Sequence, residues 1–569
     1  MRISTDKHLV DLAIGLLAKS GVKDVIFSPG SRNAPMVLAF NSFEQFKIRV
    51  IVDERTAGFT ALGMATASRT PTVLCCTSGS ALLNYYPAIV EAFYKRIPLF
   101  VLSADRPSTR IDQQEGQSIR QIGVFSNHIV HQLHLPEKTD NEKHERAIWR
   151  QMNESFNLLQ NHSGPIHWNF SLDEPLYQSS PSMDLPKPIE VWKPKPKINL
   201  DLSVFSTFRN ADKVLILVGY IEETERAKEI QHWLNIATQR LPQLAVFYET
   251  LSNVHIDGGE SGIDRLVLSL NEQENFELLP NCVISFGGET VSRKVKVWLK
   301  QAKNLQHMHI DPVLPHPDIL DCLTLSVQVL PEDFLPEWIK MVEPIESNYQ
   351  NTIKKASKKR VMAAQMFLKS AAFSDLTVWW KIWEALPEKT LLFNGNSSVV
   401  RYFQLYAERK DMFHIGNRGV SGIDGTTSSA IGYALNVKNL CVLATGDLAF
   451  FYDSNAFWQS PLPKNLKIIL VNNGGGGIFR IIDGPSQTQY LEKHFETHHH
   501  KTAELLAAHY GLPYFSANSQ ATLSHSINNW LTVEGLAILE VFTPRNSNDI
   551  WLKNYFKSLK DESLQLDTP

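Results

Sequence analysis

Two apolar runs, each ending in residues that carry side-chain oxygens, constrain this chain more than any other feature. Residues 440–445 (LCVLAT) stop at Gly446-Asp447, and residues 468–471 (IILV) run into Asn472-Asn473 and four glycines. Residues 450–458 between them can form an amphipathic helix, so the stretch reads as strand, helix, strand. Such units build parallel sheets, and open parallel sheets bind ligands at the carboxyl ends of their strands. Carboxylate and amide oxygens at that edge suit a hard cation such as Mg²⁺, which takes a few protein oxygens with water and substrate phosphate. Glycines let the backbone approach a ligand closely. The stretch is as consistent with a metal-clamped diphosphate as with a plain βαβ unit carrying a polar loop.

The same alternation occupies most of the chain. Residues 8–175 read as helix 8–19, strand 24–27, strand 48–52, helix 56–68, strand 72–76, helix 81–93 and strand 99–102, with polar groups after each strand. Those groups are Ser31-Arg32, Glu54, Thr77-Ser78 and Asp105-Arg106. Residues 178–200, rich in Pro and Lys, read as an extended linker. A second block has strands at 214–219, 244–249, 282–288 and 307–311, but neither VGY nor FGG completes a dinucleotide-binding glycine motif. Residues 331–365 turn polar and charged and read as a solvated helix or linker. A third block, again α/β, follows. The fold expected is α/β, with three doubly wound parallel-sheet domains at 1–178, 200–335 and 365–569. The first and third blocks could share one architecture, which one sequence leaves open.

With 569 residues the chain exceeds a single core, and its net charge of −3 gives no global field for nucleic acid or an anionic membrane. None of the five cysteines lies in a CxxC pair, which favours a reducing compartment. The apolar start is interrupted by Asp11, Ser4-Thr5-Asp6 reads as a helix cap, and no cleavage site for a signal peptide is evident. A cytoplasmic protein is expected.

Glu54 follows an apolar strand and opens a helix, where partial desolvation would raise its pKa; an exposed helix-capping carboxylate is the plainer alternative. Arg32, Arg106, Arg401, Arg418 and the Arg293-Lys294 pair lie in loops, and arginine holds carboxylates bidentately. Converging, they would suit a polyanionic small molecule; singly, each is an ordinary surface cation. Gln117 could orient a water or a hydroxyl. His498 to His500 read as structural or exposed, because adjacent histidines do not face one site. There is no GxSxG, GxxxxGK[ST] or HExxH, so difficult chemistry would fall to a cofactor.

At this point the chain resembles the thiamine-diphosphate enzymes. Their cofactor motif pairs Gly-Asp with Asn-Asn roughly 25 to 30 residues later; here 26 positions separate Asp447 from Asn473. Leu448 stands where that motif has Gly. SPGSRNAP, DERTAGFTALGMA, TSGSALLNYYPAIVEA, ADRP, GNSSVVR, NRGVSGIDG and VNNGGGGIF, in order, resemble one branch, the menaquinone-pathway (MenD-type) synthases, and the departure at Leu448 fits that branch.

The resemblance implies a pyrimidine-binding, a central and a diphosphate-binding domain, with active sites between subunits of a homodimer or homotetramer. It implies that Glu54 bonds the aminopyrimidine ring and promotes deprotonation of the thiazolium carbon. Asp447, the Asn473 side chain and the Gly475 carbonyl would hold Mg²⁺ or Mn²⁺. Gly446, Leu448, Ile423, Ile478 and Phe479 would contact the cofactor. The reaction implied is decarboxylation of 2-oxoglutarate and addition of the succinyl carbanion equivalent to isochorismate. Asn396, Ser397 and Arg401 would take the first substrate; Arg32, Arg106, Gln117 and Arg418 the second, with Arg293 and Lys294 nearby. An acetolactate-synthase-like decarboxylase or carboligase is the alternative within the class. A non-catalytic nucleotide-binding protein is the alternative outside it.

Overall fold

The computed structural model describes residues 2–560 except 163, 183, 193–197, 315 and 483. The apolar runs become strands buried on both faces, as parallel strands covered by helices must be. The first sheet has six parallel strands, ordered Lys47–Val50, Asp24–Phe27, Thr72–Cys76, Leu99–Asp105, Ile166–Ser171 and His131–Leu135. Another six form a parallel sheet near the C-terminus, ordered Phe413–Ile415, Leu391–Asn394, Cys441–Gly446, Leu466–Asn472, Ala537–Phe542 and Tyr514–Ala517. Numbered along the chain, both sheets follow the order 2-1-3-4-6-5. The first and third blocks are therefore two versions of one topology. The middle sheet has five parallel strands, ordered Leu244–Tyr248, Val214–Val218, Cys282–Phe286, Gln306–Ile310 and Leu323–Val327.

Several local expectations change. Ser4 and Thr5 cap no helix: Ile3–Thr5 is a strand antiparallel to Ser179–Pro181, and helix His8–Lys19 starts after Lys7 without a side-chain cap. The presumed linker thus begins as a strand, and it continues along the first block, where Asn153 Oδ1 accepts the Ile189 N–H at 2.7 Å. Positions 183 and 193–197 of that segment lie outside the described residues. The helix expected at 81–93 is two, Ser80–Asn84 and Tyr86–Lys95, the second carrying Pro87 in its first turn, where a missing N–H leaves no bond unmade.

Residues 331–365 hold helix Pro331–Met341 and most of helix Tyr349–Ser370, joined by 342–348, so the helix alternative holds, but each helix buries one face instead of being solvated all round. Arg360 is 2 % exposed and pairs with Glu274, satisfying a charge that burial would otherwise penalise. Tyr349, Ile353 and Ala356 pack under the middle sheet, whereas Ala364 and Leu368 pack under the third. One helix therefore serves both cores.

The first and third blocks meet through helices Glu54–Ser68 and Thr426–Leu435. Where they cross, a Cβ on Gly63 would sit 2.0 Å from Ser429 O, and one on Gly432 would sit 2.0 Å from Thr60 O. Only glycine permits backbones this close. The crossing places the start of the Glu54 helix beside the end of the Asp447 helix: Asn455 Nδ2 donates to Asp53 Oδ2 at 2.8 Å, and the Arg55 guanidinium lies over the Tyr452 ring. None of the helices among the described residues is long and apolar enough to cross a membrane.

Candidate active site

The strand Cys441–Gly446 feeds directly into helix Asp447–Tyr452, followed by a 3-10 turn at Ser454–Phe457, in place of the single helix expected at 450–458. Asp447 is thereby the first residue of a helix and is buried. Its Oδ1 accepts the Leu448 N–H at 2.7 Å and its Oδ2 accepts the Gly475 N–H at 2.9 Å. Leu448 contributes only this backbone group, and its backbone is not left-handed, so nothing at the position demands glycine. Around Gly446, the space that a Cβ would enter is open, with no heavy atom within 4 Å.

The neighbouring strand Leu466–Asn472 supplies the other half. Asn472 turns inward, donating to Glu540 Oε1 at 2.7 Å, and its Oδ1 accepts the Gly474 N–H at 3.0 Å. Asn473 donates through Nδ2 to Asp375 Oδ2 at 2.9 Å, which turns its carbonyl oxygen away from that acid. Gly474 and Gly475 have φ of 78° and 151°, left-handed values that the glycine run makes accessible. Ile478 and Phe479 follow in a 3-10 turn, half-buried, with Phe479 against the Phe495 ring.

Two members of this neighbourhood escape sequence reading. Asp375 opens helix Asp375–Ala385, and burial pushes its carboxyl up to about 6, against bonds from Thr543 and Asn473; the Asp447 charge adds to the rise. His499, part of the run read as structural or exposed, has Nε2 3.4 Å from Asp447 Oδ2 and its backbone N–H on Gly474 O at 3.0 Å. Only its place in a polar segment after the glycines could have hinted at either contact. Among the described residues no three His, Cys, Asp or Glu side chains form a metal cluster. The donors at this edge are one carboxylate, one amide and backbone carbonyls, a hard-oxygen set that fits Mg²⁺ or Mn²⁺ completed by phosphate. Asp447 and Asp375 repel each other, and a cation there relieves that repulsion.

Glu54 begins helix Glu54–Ser68, whose cap is Asp53, with Oδ1 accepting the Thr56 N–H at 3.1 Å. Glu54 itself is half-buried. Burial raises its carboxyl above the ordinary range, opposed by its own backbone N–H and assisted by the Asp53 charge. No hydrogen bond or ion pair joins Glu54 to Asp447 among the described residues.

The arginines fall into two groups. On the first sheet, Arg32 donates to Leu172 O at 2.8 Å, and burial, then the Arg106 charge, lowers its pKa. Arg106 donates to Gly116 O at 2.9 Å and pairs with Glu115, while its buried Nε has no partner among the described residues. Gln117 is exposed, with its backbone at φ 56° packed over Gly79. On the third sheet, the loop after Leu391–Asn394 carries Asn396, Ser397 and helix Val399–Tyr402. Arg401 Nη1 donates to Ser397 O, and its pKa is lowered by burial, then by Arg418 and Arg293. Arg418 is buried and donates to Asn396 Oδ1 at 2.7 Å and Glu289 Oε2 at 2.7 Å. Arg293 and Lys294 open helix Arg293–Leu299 of the middle block, near enough for Arg293 to act on Arg401. Ile423 is 38 % exposed, two residues before Gly425, whose backbone presses on the Phe59 ring.

Comparison with known proteins identifies the family. Residues 7–124 match the family model for the thiamine pyrophosphate enzyme, N-terminal TPP binding domain. The chain is 39 % identical over 555 residues to the 2-succinyl-5-enolpyruvyl-6-hydroxy-3-cyclohexene-1-carboxylate synthase of Flavobacterium johnsoniae, covering 97 % of this chain and 99 % of that protein. It is 38 % identical to the synthase of the same name from Flavobacterium psychrophilum, covering 97 % and 98 %. With that from Porphyromonas gingivalis the identity is 35 % over 590 residues, covering 98 % of each. A match to these synthases over nearly its whole length, with the thiamine pyrophosphate enzyme model at its N-terminal block, places this chain in the 2-succinyl-5-enolpyruvyl-6-hydroxy-3-cyclohexene-1-carboxylate synthase family.

Proposed function

We propose that this chain decarboxylates 2-oxoglutarate and adds the succinyl unit to isochorismate, forming 2-succinyl-5-enolpyruvyl-6-hydroxy-3-cyclohexene-1-carboxylate in menaquinone biosynthesis. Thiamine diphosphate, when bound, supplies the electron sink for the decarboxylation. Asp447, the Asn473 side chain and the Gly475 carbonyl hold Mg²⁺ or Mn²⁺, and Gly446 and Leu448 offer backbone to the diphosphate. Ile423, Ile478 and Phe479 form the apolar wall for the rings. Glu54, with a carboxyl that burial keeps ready to share a proton, bonds the pyrimidine and moves a proton there. Ser397, Asn396 and Arg401 hold the carboxylate of 2-oxoglutarate. Arg32, Arg106, Gln117 and Arg418 orient isochorismate and exclude water from it, with Arg293 and Lys294 at the margin.

The observation that carries this reading is the half-buried Arg401 beside the buried Arg418, on loops of the same sheet whose adjacent strand delivers Asp447. Arg401, whose pKa is lowered by burial and then by the Arg418 charge, favours together with Arg418 a ligand bringing more than one negative charge. Pyruvate lacks the second carboxylate that Arg401 would hold. The test is turnover of 2-oxoglutarate against pyruvate, each with isochorismate, thiamine diphosphate and Mg²⁺. Faster consumption of pyruvate would move the chain to an acetolactate-synthase-like carboligase.

The first block, residues 1–178, then serves the pyrimidine and the third, 365–569, the diphosphate, with residues 561–569 outside those described. The active site is completed between subunits of a homodimer or homotetramer. Glu54 makes no bond to the Asp447 site within one chain, and Val50, Val52, Tyr452 and Trp458 beside it are 55, 45, 51 and 56 % exposed, an apolar surface suited to a second copy. The protein works in the cytoplasm, in keeping with five free cysteines, and needs neither nucleic acid nor membrane.

A further inference from the structure

Glu289 belongs to the middle block, yet its carboxylate lies on an arginine of the third. Arg418 Nη2 donates to Glu289 Oε2 at 2.7 Å, and Ser421 Oγ donates to the same oxygen at 2.9 Å. The Arg418 side chain is 4 % exposed, whereas that of Glu289 is 45 % exposed. The Arg418 Nε is buried and has no partner among the described residues. One member of the pair is enclosed and incompletely bonded, and the other stands half in solvent.

The backbones on both sides are held. Before Glu289, Gly219 N donates to Phe286 O and Gly288 N donates to Tyr220 O, each at 2.8 Å. A Cβ on Gly219 would lie 2.0 Å from Gly288 O, so these strand ends are in direct backbone contact. After it, the buried Glu249 accepts the Val291 and Ser292 N–H groups at 2.7 Å each. Around Arg418, Lys95 Nζ donates to Gly416 O at 3.0 Å, and Glu91 accepts the Gly419 and Val420 N–H groups at 2.7 Å each. The part of this contact that can move is the Glu289 side chain.

We propose that Glu289 is an internal carboxylate that occupies Arg418 in the ligand-free protein and gives way to a carboxylate of the acidic acceptor substrate. The proposal rests on the reading of Arg418 as a substrate residue. A buried guanidinium left without an anion is strongly disfavoured, so the site needs a countercharge before substrate arrives. A half-exposed carboxylate loses little on leaving, because water solvates it at once. Binding is then an exchange of anions with almost constant charge in the pocket. The apparent affinity for the acceptor is lowered by the fraction of protein in which Glu289 holds the arginine. Glu289 in this role is a specificity-setting residue: ligands without a carboxylate to offer Arg418 leave it in place.

The test is steady-state kinetics of the holoenzyme carrying Glu289→Gln or Glu289→Ala, with isochorismate and 2-oxoglutarate varied in turn and thermal unfolding confirming the fold. The expected result is an isochorismate KM lowered about two- to fivefold, with an unchanged 2-oxoglutarate KM and no rise in kcat. An isochorismate KM that is unchanged or raised in both variants overturns the proposal. Arg418→Ala separates the two readings. If it raises the isochorismate KM while the Glu289 variants do nothing, exchange fails and the substrate role of Arg418 stands. If Arg418→Ala leaves that KM unchanged, the substrate assignment itself fails.

Discussion

Asp447 accepts the backbone N–H of Gly475 at 2.9 Å, across 28 positions of chain. That bond closes the carboxyl ends of two neighbouring strands around one oxygen-rich site, with Asn473 and Asp375 beside it.

Replacing Asp447 with Asn removes the negative charge and keeps the shape. Calorimetric affinity for thiamine diphosphate in the presence of Mg²⁺ is expected to fall about 100-fold or more, since a neutral amide is a poor ligand for a hard dication. Glu54→Gln is the contrasting variant: cofactor affinity stays within a few-fold while decarboxylation slows by about 10²- to 10⁴-fold. Loss of binding in the Glu54 variant, or its retention in the Asp447 variant, would show the two roles to be misassigned.

Gly432 tests the crossing of the first and third blocks. A methyl group there meets the Thr60 carbonyl at 2.0 Å, and backbone cannot move aside as a side chain would. Gly432→Ala should destabilise by about 1–3 kcal/mol and shift the Glu54 helix, lowering both Tm and kcat. A variant with wild-type Tm would mean that the helices can separate freely.

Glu249 gives a pH signature. Burial pushes its carboxyl from 4.5 up to about 7, against the pull of the Val291 and Ser292 amides. Below about 4.5 folded and unfolded chains both hold the proton; between 4.5 and about 7 the folded chain alone holds it. Its contribution to stability is therefore full below the lower value and lost as pH rises through the upper one. Glu249→Gln, permanently neutral, lacks this slope. Urea unfolding at about pH 5 and about pH 8 should show wild type losing stability relative to the variant by about 3 kcal/mol at most. A difference that is flat with pH would place the Glu249 pKa in the ordinary range.

Most inner strands of the three sheets were legible because their apolar side chains bury on both faces, although Ile166–Ser171 and Ala537–Phe542 were not singled out. Of the edge strands, Lys47–Val50 and Leu244–Tyr248 were read, but others were not. His131–Leu135 alternates half-buried and exposed positions before the buried Leu135, and Leu323–Val327 has no fully buried residue, so neither shows an apolar run. The Asp447, Asn473 and Gly475 set was visible because short loops keep it local. Asp375 lies 98 positions from Asn473, and Glu289 lies 129 from Arg418; no spacing rule reaches across such distances. His499 was set aside because adjacent histidines do not face one site, but it lies outside any helix and its backbone bonds back to Gly474.

By itself, the sequence determined the parallel α/β class, the oxygen-rich strand ends, the candidate acid Glu54 and the resemblance to thiamine-diphosphate enzymes. These depend on residue type and short-range order, which the chain carries wherever it folds. Only the tertiary structure decided that the first and third blocks share one strand order, and that Gly63 and Gly432 bring them into backbone contact. It also decided that the buried Arg418 of the third block is held by an acid from the middle one. A buried charge must be paired, and its partner is chosen by which side chain the packed fold brings within reach.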